Sequence, residues 1–202
     1  AGAVGGKVFP IYEKEKPKWL SKDLEIYYSV IDLSEEVFEI DNESIVGTNV
    51  AYPMQLFKEL GGFDPNLGRR GELLISCEEN LFHKKIKESG KKIYYNPQQI
   101  VEHHVHSERL SKHWLLKRIY WNGYSFSIIE KDSPQDINIF QALKRLLKNL
   151  NFYSLANLCF EFGYRKGLKK VRLHIVRPSF PWWGKYSGYL QFLRHIKAKE
   201  LR

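Results

Sequence analysis

Glycine and proline punctuation is the feature that most restricts how this chain can fold. Gly61-Gly62, Gly90 and Asn96-Pro97 divide the stretch between residues 44 and 106 into short pieces. Strand and helix signals alternate between these breaks. Ser44–Tyr52 alternates towards a buried strand, interrupted by Gly47. Pro53 suits the first turn of a helix whose apolar face is Leu56, Phe57 and Leu60, and Gly61-Gly62 stops it. A second helix is predicted over Glu78–Ser89, with Leu81, Phe82 and Ile86 as its stripe and Gly90 as its end. Lys91–Tyr95 and Gln99–His106 form strand signals separated by Asn96-Pro97. The alternation predicts an α/β fold.

The flanks differ. The opening AGAVGGKVFP has the character of a protein interior, with no cap or polar leader, and predicts a fragment of a longer polypeptide. Residues 11–43 form an irregular, polar surface segment with one short strand expected at Glu25–Val30. A helix is predicted over Lys112–Glu130, broken by Asp132-Ser133-Pro134. A helical stretch follows over Asp136–Arg172, and Pro178–Arg202 is aromatic and basic.

The net charge of +9 is unevenly placed. Arg165–Arg202 holds eleven Lys or Arg and one acid, Glu200, so the rest of the chain is close to neutral. This asymmetry points to an anionic partner: phospholipid, nucleic acid or a phosphorylated substrate. No nucleic-acid module is recognised, so nucleic acid is not expected. Phe180, Trp182, Trp183, Tyr186, Tyr189 and Phe192 accompany the basic residues. Aromatic and cationic side chains together suit a membrane interface, or else a subdomain packed on the body. Cys77 and Cys159 are too few for a disulfide framework, which favours a reducing compartment. No signal peptide or apolar run of about 18 residues is present.

Three constellations could carry chemistry. Cys77-Glu78-Glu79 puts two acids at a helix entrance, which favours the anion and fixes its position, as a general base requires. Favourable charge at a helix end explains the same pair without catalysis. His103-His104-Val105-His106 suggests metal, but no carboxylate or Cys pair stands at a zinc spacing, so one ligand to a metal held elsewhere is the better expectation. Gly47-Thr48-Asn49 and Gly61-Gly62-Phe63-Asp64 are turns where backbone could approach a ligand. Neither is a P-loop or a dinucleotide fingerprint.

In order and spacing these pieces resemble the second half of family 2 glycosyltransferases over about residues 5–130. The matching pieces are Gly47-Thr48-Asn49-Val50-Ala51, Gly61-Gly62-Phe63-Asp64, Leu67-Gly68-Arg69-Arg70-Gly71, Glu78-Glu79, Tyr95-Asn96-Pro97 and Val101-Glu102-His103. Lys117-Arg118-Ile119-Tyr120-Trp121-Asn122-Gly123 and Phe162-Gly163-Tyr164-Arg165-Lys166-Gly167-Leu168 are similar to stretches of bacterial members. The resemblance implies Glu79 as catalytic base. It implies Glu78, Gly47, Asn49 and Asp64 on the acceptor side, and His103 as a single ligand to a divalent metal (Mg2+ or Mn2+). The family commonly has Glu-Asp at the acidic pair and glycine before it, where this chain has Glu79 and Cys77. The family's Asp-x-Asp metal motif is absent from these residues.

The resulting expectation is an α/β fold: a partial GT-A-like sheet with flanking helices over 1–130, then a basic, aromatic, helical extension over 131–202. The expected function is inverting transfer from a nucleotide-sugar donor to a saccharide or lipid-linked acceptor in bacterial polysaccharide or glycolipid synthesis. The isolated chain is expected to be inactive, because the nucleotide-binding half is missing. It is expected to be cytoplasmic, docking peripherally on an anionic membrane surface at the inner face of the plasma membrane through 165–202. The rival reading is a non-catalytic module that docks on membrane or a polyanion.

Overall fold

The computed structural model describes residues 1–41, 44–130, 139–149 and 151–172. These residues form the expected α/β arrangement: strands β1 (Ala3–Tyr12), β2 (Phe38–Glu39), β3 (Val50–Ala51) and β4 (Ile93–Val105), with helices α1 (Met54–Glu59), α2 (Glu78–Glu88), α3 (Lys112–Ile129), α4 (Ile139–Asn149) and α5 (Phe152–Arg172). The sheet order is β2-β4-β1-β3, with β1 and β4 parallel and the two-residue strands antiparallel at the edges.

The chain divides into two compact units, and among the described residues it passes from one to the other after Gly62, after Leu81 (within α2) and after Ser107. One unit contains the sheet. Its core is Ala3, Ile31, Ile40, Ile45, Leu56, Phe82, Ile86, Ile93 and Tyr95. The opening residues lie inside it, as their composition suggested: Ala3, Gly5, Gly6, Lys7 and Val8 are buried in β1. A central strand in parallel pairing is covered on both faces and needs such a run.

The second unit includes residues 63–81 and 108–130 with α4 and α5. Within this unit α3 packs against α5, and α5 against α4. The α3–α5 packing is set by glycine. A Cβ on Gly163 would lie 1.8 Å from the Tyr120 carbonyl oxygen, and one on Gly123 would lie 2.2 Å from that of Phe160. Backbone meets backbone here because neither residue has a side chain. On α4, Phe140, Leu143 and Leu147 are exposed beside Lys144 and Lys148, while Ala142 is buried.

Three local expectations are corrected. The strand expected at Glu25–Val30 is a 3-10 helix over Lys22–Tyr28. A period-2 strand would put Leu24 and Glu25 on opposite faces, yet both are buried. Glu25 is drawn inside by Lys16, at 2.7 Å, and by the Tyr12 hydroxyl. Over Ser44–Tyr52, only Val50–Ala51 is strand, and Gly47–Asn49 is a 3-10 turn. The strands expected on either side of Asn96-Pro97 are one strand. Pairing with β1 jumps from Gly6–Asn96 to Lys7–Ile100, so residues 97–99 bulge. Proline, lacking an N–H, is accommodated in such a bulge. The break expected at Asp132-Ser133-Pro134 and the aromatic, basic segment Pro178–Arg202 lie outside the described residues.

Candidate active site

The acidic pair opens α2, and the residue before it sets how it is presented. The Cys77 carbonyl accepts the Leu81 N–H at 3.1 Å, the first bond of the helix. Cys77 itself has φ of 71°, in the left-handed region that favours glycine. The chain thus takes at Cys77 a conformation that glycine would adopt freely. A Cβ there costs about 1 kcal/mol or more. Its buried thiol packs with Leu67, Ile75, Tyr124 and Ile129. Burial, with the Glu79 charge second, pushes that thiol up to about 12, so it stays protonated and is no nucleophile at neutral pH.

The segment entering the pair lies outside any strand, and its polar groups are taken up by α3. The Ser76 N–H donates to Ser125 Oγ at 3.0 Å. Cys77 Sγ donates to Asn122 Oδ1 at 3.4 Å. Arg118 Nη1 donates to Ser76 Oγ at 2.7 Å and to the Leu74 carbonyl at 3.3 Å. Arg118, Asn122 and Ser125 stand at i, i+4 and i+7, one face of a helix. Sequence reasoning gave these three residues no role. The signal was present as polar residues at helical spacing in an otherwise largely apolar helix.

Arg69, Arg109 and Arg118 lie within electrostatic reach of one another, with Glu78 and Glu79 beside Arg69. The Arg69 guanidinium is held down to about 10, first by desolvation, then by the Arg118 and Arg109 charges, against the pull of Glu78 and Glu79. It remains a cation at neutral pH. Gly68 runs close to Glu78: a Cβ on that glycine would sit 3.7 Å from the carboxyl carbon. Asp64 closes the preceding turn, where its carboxylate accepts the Asn66 N–H at 2.8 Å and Asn66 Nδ2 at 3.0 Å. Glu78, Glu79 and Asp64 therefore belong to one compact unit.

Gly47, Asn49 and His103 belong to the other. Asn49 is buried, and its side-chain nitrogen donates to the carbonyls of Lys7 and Gln99, both at 2.8 Å. Gln99 Nε2 donates to its oxygen at 2.7 Å. This amide therefore bridges β1 to the bulge in β4. His103 is half-buried on β4, opposite Pro10, while His104 and His106 are exposed. Among the described residues no three His, Cys, Asp or Glu side chains come together in a way that could hold a metal ion. They do not form a metal centre by themselves.

This chain is similar to a glucosyl-dolichyl phosphate glucuronosyltransferase of Haloferax volcanii. The two are 31% identical over 139 residues, covering 67% of this chain. The match spans 44% of the relative, so this chain corresponds to less than half of that protein. No family model matches the chain, and no solved structure matches it.

Proposed function

We propose that this chain is the catalytic, acceptor-side part of an inverting family 2 glycosyltransferase of GT-A type. The observation that carries the reading is the likeness to a glucuronosyltransferase together with an acidic pair fixed at a helix N-terminus behind a left-handed residue. The donor is a nucleotide sugar. The acceptor is the hydroxyl of a sugar carried on a lipid phosphate, the chemistry named in the relative. Glu79 is the general base: it takes the acceptor hydroxyl proton as that oxygen attacks the anomeric carbon. The bond from that carbon to the donor phosphate breaks, and its electron pair leaves with the nucleotide diphosphate. Glu78 orients the acceptor, with Asp64 holding the neighbouring turn. Gly47, Asn49 and His103 belong to the same proposal, Asn49 acting through the backbone it ties together. The nucleotide and the metal would be held mainly by residues other than those described.

The proposal includes peripheral docking on an anionic membrane. Phe140, Leu143 and Leu147 form an exposed apolar row on α4 flanked by Lys144 and Lys148, and Arg165 and Lys166 are exposed on α5. No described helix is long and apolar enough to cross a membrane.

The test is Glu79→Gln in the protein as its gene encodes it, assayed with nucleotide sugars and glycosylated prenyl phosphates. Loss of the base lowers turnover by about a hundredfold or more with little change in donor affinity. Undiminished turnover removes Glu79 from the mechanism.

A further inference from the structure

Two buried atoms beside the acidic pair lack hydrogen-bond partners among the described residues: Glu78 Oε2, an acceptor, and Arg118 Nε, a donor. Both belong to the unit that holds the pair, yet they do not satisfy each other. Buried polar groups are nearly always paired, so each of these atoms is open to a partner from a ligand or a water. The carboxylate needs an O–H or N–H donor. The guanidinium needs an acceptor, and an anionic oxygen makes the stronger bond. Arg118 is already oriented, because Ser76 Oγ and the Leu74 carbonyl hold its Nη1. Arg69 stands within electrostatic reach of Arg118, Arg109, Glu78 and Glu79, and forms no ion pair among the described residues. Three arginines against two glutamates leave the cluster with positive charge to spare, which a bound anion would offset.

We infer, resting on the glycosyl-transfer reading, that this cluster binds a sugar phosphate ester: a sugar hydroxyl donates to Glu78, and phosphoryl oxygens accept from Arg118 and Arg69. A phosphoryl group suits two guanidinium groups because its tetrahedral oxygens can accept from donors that approach out of one plane, which a planar carboxylate does not allow. Both donor and acceptor of the proposed reaction carry this chemistry. A nucleotide sugar has it in its diphosphate, and a lipid-linked sugar in the phosphate joining sugar to lipid.

Isothermal titration calorimetry on the protein as its gene encodes it separates the sources. The probes are UDP-glucose, glucosyl phosphate esterified to a short prenyl chain, glucose and glucuronate. The variants are Arg69→Gln, at a side chain without an ion pair among the described residues, and Arg118→Lys, which keeps the charge but loses the fork. At least one phosphate ester binds wild type, more tightly at low salt, and loses about tenfold in affinity with Arg69→Gln and at least as much with Arg118→Lys. Dependence confined to UDP-glucose assigns the cluster to the donor, and dependence confined to the prenyl ester assigns it to the acceptor. The inference is overturned if neither ester binds, or if both bind Arg69→Gln as tightly as wild type. It is also overturned if glucuronate alone shows the arginine dependence. These outcomes are independent of Glu79. A turnover loss in Glu79→Gln with ester binding indifferent to Arg69 keeps the transferase and removes this site. Arginine-dependent ester binding with turnover indifferent to Glu79 does the reverse.

Discussion

His83 makes the sheet-containing unit sensitive to acid. Its ring is buried on α2, and one nitrogen meets the Tyr52 hydroxyl at 2.8 Å. Burial, helped by the nearby Lys87 charge, lowers its pKa from 6.5 to about 4. The folded state therefore holds His83 neutral over a range where the unfolded chain binds a proton. Between about pH 6.5 and pH 4 the unfolded state carries more protons, so stability falls as pH falls. A shift of this size at 1.36 kcal/mol per unit corresponds to about 3 kcal/mol, fully present above the unfolded pKa and lost by about pH 4. His83→Gln supplies the comparison, because glutamine does not titrate and its amide can still meet the Tyr52 hydroxyl. Urea unfolding of both proteins from pH 7.5 to pH 4 measures the effect. The wild type loses about 3 kcal/mol more than the variant across this range. Parallel profiles for the two proteins would refute the assignment of a buried, neutral imidazole.

Three further outcomes are expected. Gly163→Ala forces α5 away from the Tyr120 carbonyl and costs at least about 2 kcal/mol in urea unfolding, since that contact is with backbone and cannot rotate away. Cys77→Gly changes stability by no more than about 1 kcal/mol, because relief of the left-handed Cβ offsets the lost thiol packing. Cys77→Val, β-branched at the same φ, loses at least about 2 kcal/mol, and equal stabilities for the two variants would contradict the backbone described there. Phe140→Glu lowers binding to phosphatidylglycerol vesicles in a sedimentation assay by about tenfold. Unchanged sedimentation would remove α4 from the membrane contact.

What the sequence made legible was what local chemistry decides. α1 ends at Gly61-Gly62 and α2 before Gly90, and those glycines take positive φ. The expected end of α3 is one residue from the observed one, Ile129. Errors arose where a distant partner decides. Lys16 and Tyr12 bring Glu25 inside and turn an expected strand into a 3-10 helix. The Asn49 amide serves the backbone of Lys7 and Gln99, which shortens the neighbouring strand to two residues. The acidic pair was legible because it lies at a helix entrance. Its supports were not, because Arg118, Asn122 and Ser125 reach a segment more than forty residues earlier in the chain.

That support explains how an irregular segment can hold an acidic pair in place. Residues 74–77 have no strand ladder to fix them, and the left-handed turn at Cys77 is intrinsically unfavourable. Hydrogen bonds from three positions on one face of α3 supply the constraint. The helix can supply it only if it is rigid itself. Elsewhere on the same helix, Tyr120 and Gly123 contact α5 at backbone distance through Gly163 and Phe160. Beyond these, Tyr164 donates to Glu130 at 2.7 Å. A close-packed interface has discrete arrangements rather than continuous give. Displacing α5 therefore moves the α3 face that holds Ser76 and Cys77, and with it the direction in which Glu78 and Glu79 leave the turn. The glycines of α5 are in this sense part of the acidic site, although none of them touches it.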